Sequence, residues 1–255
     1  MNFLSLASGA PVRVGYHDKG KGFFGRNQIF TNLVETIEEQ KHTIDFHLDA
    51  LRQIGLKPKE KQMSFYWSDA DEAIADQLVR ISGVEQDEPF VVIHPTSRWM
   101  FKAWTSEGYA AVADHIQGRY GTKVVITSGP DLKELAKIEE IFKLIRYPAI
   151  NLSGKLTLKQ LGRIVQRAIL FFGIDSAPMH MSVAVGTPVL ALFGPSGEHM
   201  WGPLGDENQV FALPMPCRPC GRDGCNGSKV SRCLVEIDPE TINRIVDEKL
   251  KRLIG

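Results

Sequence analysis

The chain has 255 residues and balances 30 Lys plus Arg against 30 Asp plus Glu, with no basic run interleaved with aromatics, so nucleic acid is not an expected partner. No apolar run approaches the ~20 residues of a membrane span and no signal peptide opens the chain, so a cytoplasmic location is expected. The length supplies enough core for one large domain or two modest ones.

Met1 to Leu6 is apolar from the start, Ala7 to Pro11 reads as a turn, and Val12 to Tyr16 reads as a strand. So little precedes this strand that the first domain is expected to be incomplete. Asp18 to Arg26 is a glycine-rich loop with three basic residues, but it lacks the P-loop pattern and reads as a plain loop. Ile44, Leu48 and Leu51 recur at helical spacing, predicting a helix from Thr43 that stops at Gly55. His42, Asp45 and His47 lie on or beside it without the spacing of a zinc-protease helix, and read as surface or packing residues. Lys57 to Glu88 is polar, with one helical run from Asp69 to Ile81, and a domain boundary is expected at 88/89.

From Phe90 a unit repeats. Strand 90–93 precedes a helix from about Thr105 to Gln117, strand 123–127 precedes a helix from Asp131 to about Ile145, and strand 149–152 precedes a helix from Thr157. Phe171 to Gly194 then reads as strand, polar tip, short helix, turn and strand. Pro178 fits the first helical turn, Asp175 or Ser176 the cap before it, and Gly186 with Pro188 the stop. Alternating strands and helices predict a doubly wound α/β layer with a parallel sheet, whose ligands bind at the strand carboxyl ends. Those ends carry His94 to Arg98 with Lys102 and Trp104, then Thr127 to Asp131, Gly154 to Thr157, and Asp175, Ser176 and His180. The helix start after Asp175 suits a phosphate, since its free N–H groups and the macrodipole favour an anion. The same residues also serve as plain caps and an interior histidine. No GxGxxG follows any strand, which argues against a nicotinamide dehydrogenase.

Cys217, Cys220, Cys225 and Cys233 form a CxxC-x4-C-x7-C array that suits either a structural zinc site or a loop of reduced thiols. Ile242, Ile245, Val246, Leu250 and Leu253 then predict a terminal helix from Pro239.

HPTSRWMFKAW, TSGPD, NLSGKLTLKQL and DSAPMHMSVAVGTPVLALFGPS, in this order and spacing, resemble the family 9 glycosyltransferases, the lipopolysaccharide heptosyltransferases. The resemblance covers essentially the whole chain. It implies an α/β fold of the GT-B type, two Rossmann-like domains facing a cleft, divided here as 1–88 for a partial acceptor-binding domain, 89–235 for the donor-binding domain and 236–255 for a terminal helix that crosses back. It implies inverting transfer of heptose from ADP-L-glycero-D-manno-heptose to the lipid A–core oligosaccharide of the inner core, at the cytoplasmic face of the inner membrane with peripheral association, and no cofactor or metal. Carried over by position, Lys102 neutralises the donor diphosphate, Asp131 contacts the ribose, Leu156 lies where the backbone meets adenine, and Asp175 faces the sugar. Ser176, Ala177 and His180 form the phosphate-side loop and helix start, and Thr96 and Ser97 join the donor site; Lys102 and Asp175 are the expected catalytic pair. The family's base aspartate lies on an early segment with no match here. Asp18, the nearest early carboxylate, does not fit that motif, so no base is assigned. The alternative is a nucleotide-sugar-binding fragment without transferase activity; a zinc-containing scaffold is a third reading.

Overall fold

The computed structural model describes residues 2–17, 23–35, 41–59 and 61–254. The chain forms two compact units, Met1–Gln62 and Met63–Gly255.

In the first unit, helix α1 (Asn2–Ala7), strand β1 (Val14–Tyr16), strand β2 (Asn32–Val34) and helix α2 (Thr43–Gln53) follow in order, with β1 and β2 paired in parallel. Arg13 fixes the entry to β1 by donating from Nε to the Ile29 carbonyl at 2.8 Å and from its terminal nitrogen to the Ala10 carbonyl at 2.6 Å. Tyr16 stacks on Phe46 of α2 with ring centroids 4.4 Å apart, and its hydroxyl donates to the Phe46 carbonyl. His42 caps α2, its ring accepting from the Ile44 N–H, while Asp45 pairs with Lys61 at 2.7 Å and His47 lies 3.3 Å from the Tyr16 hydroxyl. These three side chains thus serve capping and packing. Asp18 and most of the glycine-rich loop lie outside the described residues.

The second unit starts with helix α3 (Asp69–Ile81) and continues through β3 (Phe90–His94), α4 (Ser106–Tyr120), β4 (Lys123–Ile126), α5 (Leu132–Leu144), β5 (Ile150–Asn151), α6 (Leu158–Arg167), β6 (Leu170–Ile174), α7 (Ala177–Ala184), β7 (Val189–Leu192), α8 (Glu198–Trp201), β8 (Gln209–Phe211), α9 (Arg232–Val235) and α10 (Pro239–Ile254). All six strands run parallel in the order β5-β4-β3-β6-β7-β8. That is the doubly wound order in which the chain first builds outward from β3 on one side, then returns to its other side. β3 and β6 are buried throughout, as a sheet covered on both faces demands. One face packs Val91, Ile93, Phe172 and Leu190 against α4, α5 and α10; the other packs Val92, Phe171, Val189 and Ala191 against α3, α6 and α7.

Helix α3 belongs to this second unit, so the division falls between Gln62 and Met63 where the composition placed it at 88/89. Ala75 and Val79 of α3 are fully buried in the second core, and Asp76 accepts both guanidinium nitrogens of Arg163 on α6 at 3.0 and 2.9 Å. Ser68 and Asp71 close a capping box at the start of α3. The terminal helix also packs within this unit: Ile242, Val246 and Leu250 of α10 enter the first core, and Asp247 receives the Tyr120 hydroxyl at 2.7 Å and lies 2.7 Å from His115 Nε2, both on α4.

Candidate functional site

The strand order reverses between β3 and β6, and the crevice beyond their carboxyl ends is where a doubly wound sheet leaves room for a ligand. The two strands meet there with His94 opposite Gly173. A Cβ on Gly173 would stand 2.8 Å from the His94 carbonyl oxygen, so only glycine allows this approach. His94 lines the crevice and also joins two strand ends. Its Nδ1 lies 2.9 Å from Thr127 Oγ1 and ties the end of β3 to the end of β4, and complete burial lowers its pKa to about 4, leaving the ring neutral at pH 7.

After β3 the chain turns through Thr96 to Trp99 into a single 3-10 turn, Met100–Lys102. This delivers Lys102 back across the crevice, where Nζ donates to Asp175 Oδ2 at 2.6 Å. Both groups are largely buried, Lys102 at 21% and Asp175 at 9% side-chain exposure. A cation and an anion here face one another across the switch point.

Helix α7 begins immediately after Asp175. Ser176 is its extended N-cap, and its side chain makes no capping bond because Asp175 and Ser176 point elsewhere: Asp175 to Lys102, and Ser176 Oγ into a buried position with no hydrogen-bond partner. Pro178 occupies the first turn, where a missing N–H costs nothing. The open helix start, the unpartnered hydroxyl and Lys102 Nζ together offer donors and positive potential to an anion.

These residues line a cavity of about 580 Å³, which brings together Thr96, Ser97, Lys102, Leu156, Asp175, Ser176, Ala177 and His180. Asp131 is not among the lining residues: its exposed carboxylate caps α5 by accepting the Lys133 N–H at 2.9 Å. Glu134, one turn on, lines the cavity instead, buried, and accepts both the Thr96 hydroxyl at 2.6 Å and the Gly129 N–H at 3.1 Å through the same oxygen. It therefore braces the loops after β3 and β4 against each other. The spacing from a capping Asp131 to Glu134 is that of a capping box, a signal that marks this glutamate in the sequence. Trp201 of α8 also reaches the cavity.

The cysteine loop is anchored by Arg218, whose Nε donates to the Gly194 carbonyl at 2.7 Å while its terminal nitrogen pairs with Glu198 at 2.9 Å. Cys217 and Cys220 are exposed and Cys233 is buried; among the described residues no three His, Cys, Asp or Glu side chains gather as metal ligands. Nor is any helix among them long and apolar enough to cross a membrane.

The sequence profile of Glycosyltransferase family 9 (heptosyltransferase) matches residues 2–231. Lipopolysaccharide heptosyltransferase 3 of Escherichia coli is 35% identical over 189 residues, which is 74% of this chain and 54% of that protein. The chain thus spans about half the length of the curated relatives it matches. Among solved structures, a family 9 glycosyltransferase of Veillonella parvula superposes with a TM-score of 0.83 at 22% identity, over 98% of this chain and 70% of that one. The E. coli ADP-heptose lipopolysaccharide heptosyltransferase II superposes with a TM-score of 0.77 at 18% identity, over 100% of this chain and 74% of that one. At these identities the likeness establishes the α/β fold of the GT-B type.

Proposed function

The chain belongs to glycosyltransferase family 9, and from that premise we propose that it is an inverting heptosyltransferase, moving heptose from ADP-L-glycero-D-manno-heptose to the lipid A–core oligosaccharide of the lipopolysaccharide inner core. The single observation that carries this reading is the Lys102–Asp175 pair at 2.6 Å, set over the open start of α7 in a cavity sized for a nucleotide. A relative whose name states ADP-heptose, the E. coli heptosyltransferase II, shares the fold.

In this reading adenine lies at the Leu156 end, the ribose against the segment from Gly129 through Asp131 to Glu134, and the diphosphate between Thr96, Ser97, Lys102 and the Ser176, Ala177 and His180 helix start. Breaking the bond from the anomeric carbon to phosphate oxygen leaves positive character on the sugar and negative charge on the leaving ADP. Lys102 and the α7 donors meet the second, while Asp175, on the sugar side, meets the first; fixed groups aimed at developing charge are the largest usual contribution to such a step. The acceptor hydroxyl also needs a base. No described residue is assigned to it. The acceptor places the reaction at the cytoplasmic face of the inner membrane, with peripheral association.

The test is paired. Calorimetric titration with ADP measures the donor site, and transfer of labelled heptose to heptose-deficient core measures the reaction. Failure of ADP to bind refutes the nucleotide reading, and binding without transfer to any core acceptor refutes the transferase reading.

A further inference from the structure

A second cavity, of about 490 Å³, lies behind the 3-10 turn that carries Lys102. The turn separates the two: Trp99 and Lys102 face the donor cavity, while Met100 and Phe101 face the second. The second cavity has an apolar floor that includes Phe101 and Trp104. Ser231 also lines the cavity; it is 2% exposed, and its buried Oγ has no hydrogen-bond partner. A hydroxyl desolvated without a partner is costly, and a ligand that bonds to it removes that cost.

The charges around the cavity point to the sign of the ligand. Lys229 is paired with Asp223 at 2.9 Å, and the Glu140 carboxylate is held by the Ser106 hydroxyl at 2.9 Å. Lys137, only 17% exposed, has as its sole ion pair among the described residues a 3.9 Å contact with Glu140. Burial lowers its pKa, with Glu140 and Glu107 opposing that shift only in part. A nearly buried ammonium with so distant a partner gains from a closer anion.

We propose that this cavity is an effector site for a small organic anion with a flat apolar body, its acidic group held by Lys137 and the Ser231 hydroxyl and its ring laid against Phe101. Because Phe101 immediately precedes Lys102, an occupant that moves the turn alters how Lys102 meets the donor diphosphate. The binding claim is independent of the donor reading; the effector claim rests on it.

The probe is 8-anilinonaphthalene-1-sulfonate, titrated by fluorescence against the full chain. Lys137→Met is expected to weaken binding about tenfold, the loss of one charge-assisted contact, and Val235→Trp to abolish it by filling the cavity. Trp201→Ala, at the donor cavity, is expected to leave it unchanged. Thermal melts establish that each variant folds, and Lys137→Met, which keeps a side chain of similar length in place, decides the matter should Val235→Trp not fold. Undiminished binding to Lys137→Met, or weakening by Trp201→Ala in its place, overturns the site. ADP affinity is then measured with and without saturating probe. A change of threefold or more supports the effector role, and an unchanged value overturns it. Absence of ADP binding altogether counts against the donor reading and leaves the probe titration standing.

Discussion

Replacing Lys102 with alanine removes two things at once. The first is the charge-assisted hydrogen bond to phosphate, worth about 1.5–3 kcal/mol. The second is the neutralisation of Asp175, whose carboxylate sits at 9% exposure with Lys102 Nζ 2.6 Å away and would be left facing a diphosphate of its own sign. Both act in the same direction, so the loss belongs at the upper end of that range, about two decades in Kd for ADP. The second contribution can be separated from the first. Adding Asp175→Asn to Lys102→Ala removes the uncompensated anion and is expected to restore roughly one decade. Calorimetric titration of the wild type, the single variant and the double variant gives the three affinities, with His17→Ala in the first unit as a control expected to bind like the wild type. Wild-type affinity in Lys102→Ala would remove this lysine from the site. A double variant no better than the single would show that Asp175 does not oppose the ligand, and the electrostatic account of the pair would fail.

Three further outcomes are expected. ADP should bind equally well in EDTA, because Lys102 and the α7 start already provide the positive field and no Asp-x-Asp pair follows a strand; binding that appears only on adding Mg²⁺ or Mn²⁺ contradicts this. Burial of His94 lowers its pKa from 6.5 to about 4, so between those values the unfolded chain binds a proton that the folded chain does not. Stability should therefore fall as pH drops from about 6.5 to 4, by up to about 3 kcal/mol from this group, and urea midpoints of His94→Gln should show a shallower decline over that window; parallel profiles would contradict it. Gly173→Ala should cost about 1–3 kcal/mol in urea unfolding, since its Cβ would stand 2.8 Å from the His94 carbonyl oxygen, and a neutral effect would show that β3 and β6 can separate freely.

The sheet of the second unit was legible because its strands are short apolar runs buried on both sides, each closed by a polar tip, and the spacing to the next helix leaves only a parallel connection. The start of α7 was legible for the same local reason: Pro178 and Gly186 bracket it. What could not be read locally was partnership over distance. The polar stretch before Phe90 reads as the end of the first domain, yet its helix joins the second core through Asp76 and Arg163, residues far apart in the chain. Asp131 and Glu134 both stand near the crevice in sequence, and which of them faces it depends on a cap: Asp131 is occupied by the Lys133 N–H, whereas Glu134 turns inward to Thr96 and Gly129. Trp201 reaches the cavity from a four-residue helix with too little length to show a period. The terminal helix was recognisable by its spacing, but the partners of its polar Asp247, the Tyr120 hydroxyl and His115 on α4, were not.

The two outermost strands of the six-stranded sheet, β5 and β8, are only two and three residues long. An unpaired strand edge is a template on which another polypeptide can add a strand, and its hazard grows with the length of the open ladder. Here the long apolar strands β3 and β6 lie in the middle, and the open ladders are too short to register a guest strand. The arrangement that leaves a crevice at the centre of the sheet for chemistry thus also keeps the margins poor sites for edge-to-edge aggregation, and a lysine guards each of them: Lys155 donates to the Asn151 carbonyl of β5, and Lys249 to the Glu207 carbonyl just before β8.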